Sequence, residues 1–140
     1  HLQPTPRIAL GRLLSSRRLA SAALDLSDGL SGDIKHLCQQ SRVGALIQEA
    51  NLPMSPHLIA YALKTRIDPL SWALHGGEEY ELLFTVSPKK QHCLELAIKQ
   101  LRIPVTAIGV ITPHRSGVQI AHQDGRTEKL VSQSYVHFSE

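Results

Sequence analysis

The chain has 140 residues, of which 42% are hydrophobic and 19% are charged, so it can bury the core of one globular domain. Its net charge of +3 is small, and its basic pairs are not interleaved with aromatic residues, so we expect no nucleic-acid partner. No apolar run approaches the ~20 residues of a transmembrane span and no signal peptide opens the chain, so we expect no membrane partner. The only cysteines, Cys38 and Cys93, predict free thiols and a cytoplasmic protein.

The first part of the chain predicts a helix, a strand and a second helix. Residues 8–14 are a candidate short helix, and residues 19–26 form an apolar run of small residues that is typical of a strand. Ser27-Asp28-Gly29 interrupts that strand. From Leu30 onwards apolar residues recur at helical spacing, and Ser41 to Gly44 ends this helix, with Gly44 as the candidate stop.

The middle of the chain predicts a short strand at residues 45–49 and then two helices. Each helix has the same start signal, a capping side chain followed by proline at the first helical position, in Ser55-Pro56 and Asp68-Pro69. The second of these helices would cover residues 70–74. The first would turn an apolar face to the core, formed by Leu58, Ile59, Ala62 and Leu63.

The last part of the chain contains the clearest strand, residues 80–86, which is apolar and aromatic almost throughout. Ser87-Pro88 begins another helix, and residues 104–111 form a strand. Residues 118–122 and 127–131 predict a terminal hairpin. Strands that alternate with helices and end in a hairpin predict an α/β sandwich, in which helices pack on a mixed β-sheet.

The first candidate site is Asp25-Leu26-Ser27-Asp28-Gly29, at a strand-to-helix turn. Two carboxylates three residues apart can converge on one cation, and Mg²⁺ prefers such hard oxygen ligands. The Ser27 hydroxyl and the free N–H groups at the helix start could receive a phosphate oxygen. On spacing alone, the favoured alternative is structural, with Asp28 as the N-cap of the helix. Asp33, inside that helix, is expected on a solvated face.

The second candidate site is Gly76-Gly77-Glu78-Glu79-Tyr80-Glu81-Leu82, which places three acids at the start of an apolar strand. Acids at such a position are costly unless they meet partners or solvent, and a double glycine permits close approach of a ligand. The alternative is a tight turn with solvated acids. The eight histidines show no metal-binding spacing. The chain also lacks Gly-x-x-x-x-Gly-Lys-Ser/Thr and Gly-x-Gly-x-x-Gly, so any ATP must bind without these phosphate-binding loops.

Taken together and in order, the motifs resemble one family. They are His1-x-x-Pro4-x-Pro6-Arg7, Asp25-x-Ser27-Asp28-Gly29-Leu30-x-x-Asp33, Leu52-Pro53, Gly76-Gly77-Glu78-Glu79-Tyr80-Glu81-Leu82-Leu83-Phe84, Ile108-Gly109 and the closing Tyr135-Val136-His137-Phe138. The series is similar to the C-terminal domain of the thiamine-monophosphate kinase family and spans essentially the whole chain. The glycine-rich acidic element is the most specific. The family usually has Asp where this chain has Glu79, and Gly where it has Ser134.

The resemblance implies a fold similar to the C-terminal domain of aminoimidazole ribonucleotide synthetase, a mixed-sheet α/β sandwich with some likeness to a ferredoxin fold. It also implies that residues 1–140 are a single C-terminal domain of a two-domain enzyme. The N-terminal domain of that enzyme would form a homodimer and supply further acidic metal ligands. Because the sequence opens at His1 without an initiator methionine, we expect this domain to precede it.

The resemblance further implies the reaction, ATP-dependent phosphorylation of thiamine monophosphate to thiamine pyrophosphate. Asp25 and Asp28 would bind Mg²⁺, and Ser27 would contact ATP. Glu78 and Tyr135 would contact thiamine monophosphate, the first by charge and the second by stacking. The attacking phosphate monoester is mostly dianionic near neutrality, so neither a general base nor another catalytic side chain is expected. Several Mg²⁺ ions would offset the repulsion between the two polyanions.

Two alternatives remain open from the sequence. One is another ATP-dependent enzyme of the same superfamily, such as a selenophosphate synthetase, an aminoimidazole ribonucleotide synthetase or a hydrogenase-maturation protein. The Gly76–Phe84 segment argues against these enzymes, because it resembles the thiamine kinase pattern. The other is a non-catalytic α/β module that binds a small ligand or a partner, since 140 residues carry only part of a metal site.

Overall fold

The computed structural model of the protein describes residues 7–76 and 81–131, and these ranges contain five α-helices and six strands. The helices are α1 Ile8–Ser16, α2 Leu30–Ser41, α3 Pro56–Thr65, α4 Pro69–His75 and α5 Gln91–Leu101. The strands are β1 Ala20–Asp25, β2 Val43–Gln48, β3 Leu82–Val86, β4 Gly109–Pro113, β5 Val118–Ala121 and β6 Thr127–Lys129. In these ranges, no helix has the length and apolarity needed to cross a membrane.

The strands lie in two sheets. Four of them are ordered β4-β2-β5-β6, with β2 and β5 parallel and the other pairs antiparallel, which confirms the expected mixed sheet. The predicted terminal hairpin is the antiparallel pair of β5 and β6. The remaining strands, β1 and β3, form a separate antiparallel pair in which Asp25 lies opposite Leu82.

Strand β3 of this pair lies between two apolar clusters. Successive side chains of a strand point to opposite faces, so Leu83 joins the cluster formed by α2 and the larger sheet, while Leu82 and Phe84 pack on the other cluster. That second cluster contains Leu10 from α1 and Ala97 from α5. A strand covered on both faces needs apolar residues at consecutive positions, which explains the continuous apolar run of β3.

Two of the predicted helix starts are confirmed by their caps. The Ser55 hydroxyl oxygen accepts the N–H of Leu58 at 3.1 Å, and the Asp68 carboxylate accepts the N–H of Leu70 at 2.9 Å. Helix α2 ends at Ser41, within the predicted end at residues 41–44, but Gly44 is the wrong stop residue, because Arg42 adopts the left-handed conformation. Gly44 lies within β2 instead, where a Cβ atom would be 2.5 Å from a backbone carbonyl oxygen.

The predicted inward face of α3 is wrong at two of its positions. Ala62 is buried, whereas Ile59 and Leu63 are 44% and 78% exposed. This helix carries apolar residues around most of its circumference, so their spacing could not define which side faces the core. On another side of α3, Tyr61 lies with its ring centroid 5.5 Å from that of Trp72 on α4. The strand predicted over residues 104–111 begins only at Gly109.

The end of β5 is tied to its neighbours through His122. Its Nδ1 atom lies 2.7 Å from a carboxylate oxygen of Glu49, which follows β2, and its Nε2 atom lies 3.0 Å from one of Glu128 on β6. A carboxylate only accepts hydrogen bonds, so both ring nitrogens can donate at once only when the imidazole is positively charged. Hydrogen bonds to Glu128 and Glu49 raise the pKa of His122 above its ordinary value.

We expect the free energy of unfolding to fall as the pH rises through the raised pKa of His122. The stabilisation is fully present below the unfolded-state pKa of about 6.5 and disappears at higher pH, because the neutral ring cannot donate to both carboxylates. Thermal unfolding measured between pH 6 and pH 9 should show a steeper decline for the wild type than for His122→Gln. His57→Gln, at an exposed histidine, should behave like the wild type. Equal slopes for the wild type and His122→Gln would contradict this interpretation.

Candidate active site

The loop between β1 and α2 presents the side chains of the first predicted site to solvent. Asp25 ends β1, and beyond it the N–H of Leu26 donates to the carbonyl oxygen of Glu81 at 2.8 Å. The side chains of Asp25, Ser27 and Asp28 are all exposed. The loop is therefore attached to the β3 side of the pair by its backbone, while its two carboxylates and its hydroxyl remain accessible to a ligand.

Asp33 has a different place from the one predicted. The residue is only 7% exposed, and one carboxylate oxygen accepts the N–H groups of Ser27 at 2.9 Å and Asp28 at 3.2 Å. Side chains of a helix lean towards its N-terminus, so Asp33 in the first turn of α2 reaches back under the loop. Burial raises the pKa of the Asp33 carboxyl, and the two backbone hydrogen bonds oppose that rise.

The alternative interpretation of Asp28 as a helix cap is wrong. Gly29 occupies the N-cap position of α2 with a φ of +91°, and no side chain caps this helix. A Cβ atom at residue 29 would also lie 3.0 Å from the carbonyl oxygen of Gly76. Glycine is therefore required here both for its conformation and for close packing, and the Asp28 carboxylate is not used in capping.

The structure brings the flanks of the second predicted site against this loop. Gly76 packs on Gly29, and the preceding residue, His75, accepts or donates a 2.8 Å hydrogen bond between its Nδ1 atom and the hydroxyl of fully buried Ser31. On the other flank, Glu81 holds the backbone of Leu26. The two residues that flank positions 77–80, Gly76 and Glu81, therefore both adjoin the Asp25–Gly29 loop. Two predicted site residues, Glu78 and Tyr135, lie outside the described residues, as do Glu79 and Tyr80.

An ion pair that no sequence pattern indicates lies beside the loop. Arg7 donates two hydrogen bonds to the Glu81 carboxylate, at 2.6 and 2.8 Å, which holds the residue before α1 beside the start of β3. These bonds raise the pKa of Arg7 above its usual range. The two side chains are 26% and 46% exposed, so the pair contributes no more than about 1 kcal/mol. Their separation of 74 positions leaves no spacing signal, although both residues fall within the motifs that carry the family resemblance.

Asp25 and Asp28 fit a magnesium ion by chemistry but not by number. Their exposed carboxylates are hard oxygen donors, which Mg²⁺ prefers. Across residues 7–76 and 81–131, however, no three His, Cys, Asp or Glu side chains are grouped so that they could hold a metal ion. Any ion at the loop would therefore need further oxygen ligands from water, substrate phosphates or other carboxylates.

A separate shallow depression of about 340 Å³ lies where β5 and α4 approach each other. It is lined by Glu49, Asp68, Leu70, His122, Gln123, Asp124 and Arg126. None of the predicted site residues belongs to it, and its charged groups are largely engaged with one another, as in the 2.6 Å contact of Arg126 with Asp124. The Asp25–Gly29 loop is therefore the better candidate for the active site.

These features define an α/β domain with an acidic loop between a strand and a helix. A family model described as AIR synthase related protein, C-terminal domain, matches residues 1–121, and the chain belongs to this family. The predicted fold class is thereby confirmed.

The relatives within this family are similar along the whole chain. Thiamine-monophosphate kinase of Escherichia coli K12 is 42% identical over 142 residues, covering 99% of this chain and 41% of the relative. The enzyme of the same name from Bacillus subtilis is 33% identical over 138 residues, with the same coverage of both chains. The chain therefore spans about two fifths of the length of these relatives.

Solved structures show the same fold. The structure of AaThiL complexed with AMPPCP and TMP is 34% identical, with a TM-score of 0.79, over 99% of this chain and 40% of the other. Thiamine-monophosphate kinase from Stenotrophomonas maltophilia is 38% identical, with a TM-score of 0.77, over 93% and 38%. Hydrogenase maturation protein HypE of Escherichia coli shares the fold at a TM-score of 0.73 with 20% identity, over 91% and 40%.

We expect Ser31→Ala to lower the free energy of unfolding by about 1 kcal/mol, because it removes a buried hydrogen bond. A double-mutant cycle with His75→Ala, measured by urea unfolding, should give a coupling energy of at least about 0.5 kcal/mol. Ser71→Ala, at an exposed serine of the same α4 helix, should change stability little. Strict additivity of Ser31→Ala and His75→Ala would mean that this contact does not join the two segments.

Proposed function

We propose that this chain is the C-terminal domain of a thiamine-monophosphate kinase, which phosphorylates thiamine monophosphate with ATP to give thiamine pyrophosphate. The observation that carries the proposal is the exposed acidic loop at Asp25–Gly29, against which both flanks of the Gly76–Glu81 motif are packed. The named relatives are 33–42% identical over 99% of this chain and are more than twice as long. The rest of the enzyme would be an N-terminal domain that forms a homodimer.

Each exposed group of the loop receives a role. Asp25 and Asp28 would hold Mg²⁺ through one or two carboxylate oxygens, with phosphate oxygens and carboxylates of the N-terminal domain completing the coordination. The Ser27 hydroxyl, exposed between them, would donate a hydrogen bond to a phosphate oxygen of ATP. The similarity to the complex of AaThiL with AMPPCP and TMP supports ATP and thiamine monophosphate as the ligands.

Glu78 and Tyr135 would contact thiamine monophosphate. Glu78 follows Gly76 by two residues, and Gly76 packs on the loop that would hold the metal. A carboxylate here would balance the positive charge of the thiazolium ring, and the aromatic ring of Tyr135 could stack on it. The free thiols, Cys38 in the core and Cys93 at the surface, support a reducing cytoplasm as the location.

The proposed reaction needs little from the protein beyond positioning and charge. A phosphate oxygen of thiamine monophosphate attacks the γ-phosphorus of ATP, forming one P–O bond as the bond to the ADP oxygen breaks. The attacking group is mostly dianionic near neutrality, so no proton has to be removed. Magnesium, when bound, supplies charge neutralisation to the phosphates. The protein's own task is to keep two carboxylates facing the phosphates at the end of a fixed strand.

The comparisons weigh against the alternatives. The hydrogenase maturation protein HypE matches at 20% identity, which supports a shared fold alone. A non-catalytic module would have no need for an exposed Asp28 carboxylate that does not cap α2. A metal site, in contrast, requires exposed carboxylates such as those of Asp25 and Asp28.

We expect Asp28→Asn to reduce turnover of the full-length enzyme by a factor of ~100 or more at ordinary Mg²⁺, with little change in thermal unfolding. Asn keeps the shape of the side chain but removes the charge that holds the cation. Excess Mg²⁺ should restore part of the activity. Asp124→Asn, at an exposed aspartate in the β5–β6 turn, serves as the control and should leave turnover unchanged. Unchanged activity in Asp28→Asn, or activity and stability that decline together, would show that Asp28 is structural.

The 140-residue chain by itself should produce no thiamine pyrophosphate from ATP, Mg²⁺ and thiamine monophosphate. Two carboxylates in one loop leave most of the coordination of several ions unfilled. The measurement is product formation by chromatography, with the full-length protein as the positive control. Robust turnover by the isolated chain would overturn the two-domain proposal.

A further inference from the structure

The Asp25–Gly29 loop depends on a side chain that the proposed chemistry does not use. Among the residues that the structure describes, backbone pairing with the β3 side extends through Asp25 to Leu26, whose N–H donates to Glu81. The next two backbone N–H groups, of Ser27 and Asp28, donate to the Asp33 carboxylate. Asp33 is therefore the hydrogen-bond partner of the loop backbone beyond Leu26.

This arrangement separates the inner and outer sides of the loop. Asp33 is 7% exposed, and both N–H groups point inward to one of its oxygens, whereas the side chains of Ser27 and Asp28 are exposed. A buried carboxylate is costly unless it is hydrogen-bonded, so these two bonds couple the burial of Asp33 to one conformation of the loop. Loss of the acceptor would free the loop to rotate its carboxylates away from each other.

We propose that Asp33 is a positioning residue, which orients Asp28 and Ser27 towards the metal and the nucleotide by fixing their backbone from within the domain. The proposal rests on the proposed function, because it assumes that the loop binds Mg²⁺ and ATP. It assigns Asp33 no contact with either. Residues that orient metal ligands in this way commonly change metal affinity by a factor of roughly 10–100 when they are replaced.

Two substitutions separate positioning from the other roles that a buried aspartate could have. Asp33→Asn removes the charge but keeps an oxygen that can accept both N–H groups, whereas Asp33→Ala removes the acceptor. A direct metal ligand would fail in both variants, because both lose the negative charge. A merely structural residue would lower the unfolding temperature and leave the Mg²⁺ requirement unchanged in the fraction that remains folded.

The experiment measures turnover against Mg²⁺ concentration in the full-length enzyme for the wild type and both variants. Amide hydrogen exchange at Ser27 and Asp28 is followed in the 140-residue chain by NMR. We expect Asp33→Ala to raise the half-saturating Mg²⁺ concentration roughly 10–100-fold and to speed exchange at both amides. In Asp33→Asn we expect a rise of about threefold at most and slow exchange, as in the wild type. Where Asp33→Ala does not fold, Asp33→Ser replaces it, since its shorter side chain cannot span both amides.

Each outcome decides between the possibilities. Equal losses in Asp33→Asn and Asp33→Ala would identify a direct ligand and overturn the positioning role. An unchanged Mg²⁺ requirement in a folded Asp33→Ala would also overturn it, while the proposed function would stand. A wild-type enzyme without thiamine-monophosphate kinase turnover would instead remove the proposed function, and with it the role assigned to Asp33.

Discussion

The antiparallel pairing of β1 with β3 determines where the candidate site lies. Apolar clusters cover both faces of β3, so the register of the pair is fixed by the alternation of Leu83 with Leu82 and Phe84 between the two cores. A shift by one residue would exchange these side chains between clusters of different shape. Because Asp25, the last residue of β1, lies opposite Leu82, the first residue of β3, the acidic loop and Glu81 lie at the same end of the pair. Their proximity follows from the sheet and needs no direct contact between their side chains.

The local elements were predictable because each depends on residues close in sequence. The Ser55 and Asp68 caps, the terminal hairpin and the apolar run of β3 all carry short-range signals, and all are present. The inward side of α3 was not predictable, because Leu63 and Ala62 are both apolar and only tertiary packing chooses between them. The stop residue of α2 was wrong for a related reason. Glycine favours the left-handed conformation that ends helices, but Arg42 adopts it here.

The candidate site shows the same division between short-range and long-range information. The spacing of Asp25 and Asp28 predicted two carboxylates in one turn, and the structure places them there, both exposed. Spacing alone favoured a capping role for Asp28. That role could be rejected only once the backbone placed Gly29 at the N-cap position. The pairing of Arg7 with Glu81 and the contact of Ser31 with His75 join residues 74 and 44 positions apart, so no local pattern could reveal them. Only the family resemblance placed the two acidic motifs in one site.

The acidic loop combines carboxylates that have opposite requirements. Asp25 and Asp28 must remain exposed if they are to bind a cation, and mutual repulsion alone would favour a loop that spreads them apart. The fold restrains the loop from its buried side. There the carboxylate of Asp33 accepts hydrogen bonds from the N–H groups of Ser27 and Asp28. Its buried charge is compensated by those donors, so the loop conformation and the burial of Asp33 stabilise each other. An arrangement of this kind fixes the backbone that carries the exposed Asp28 carboxylate before any ion binds, which lowers the reorganisation needed for binding.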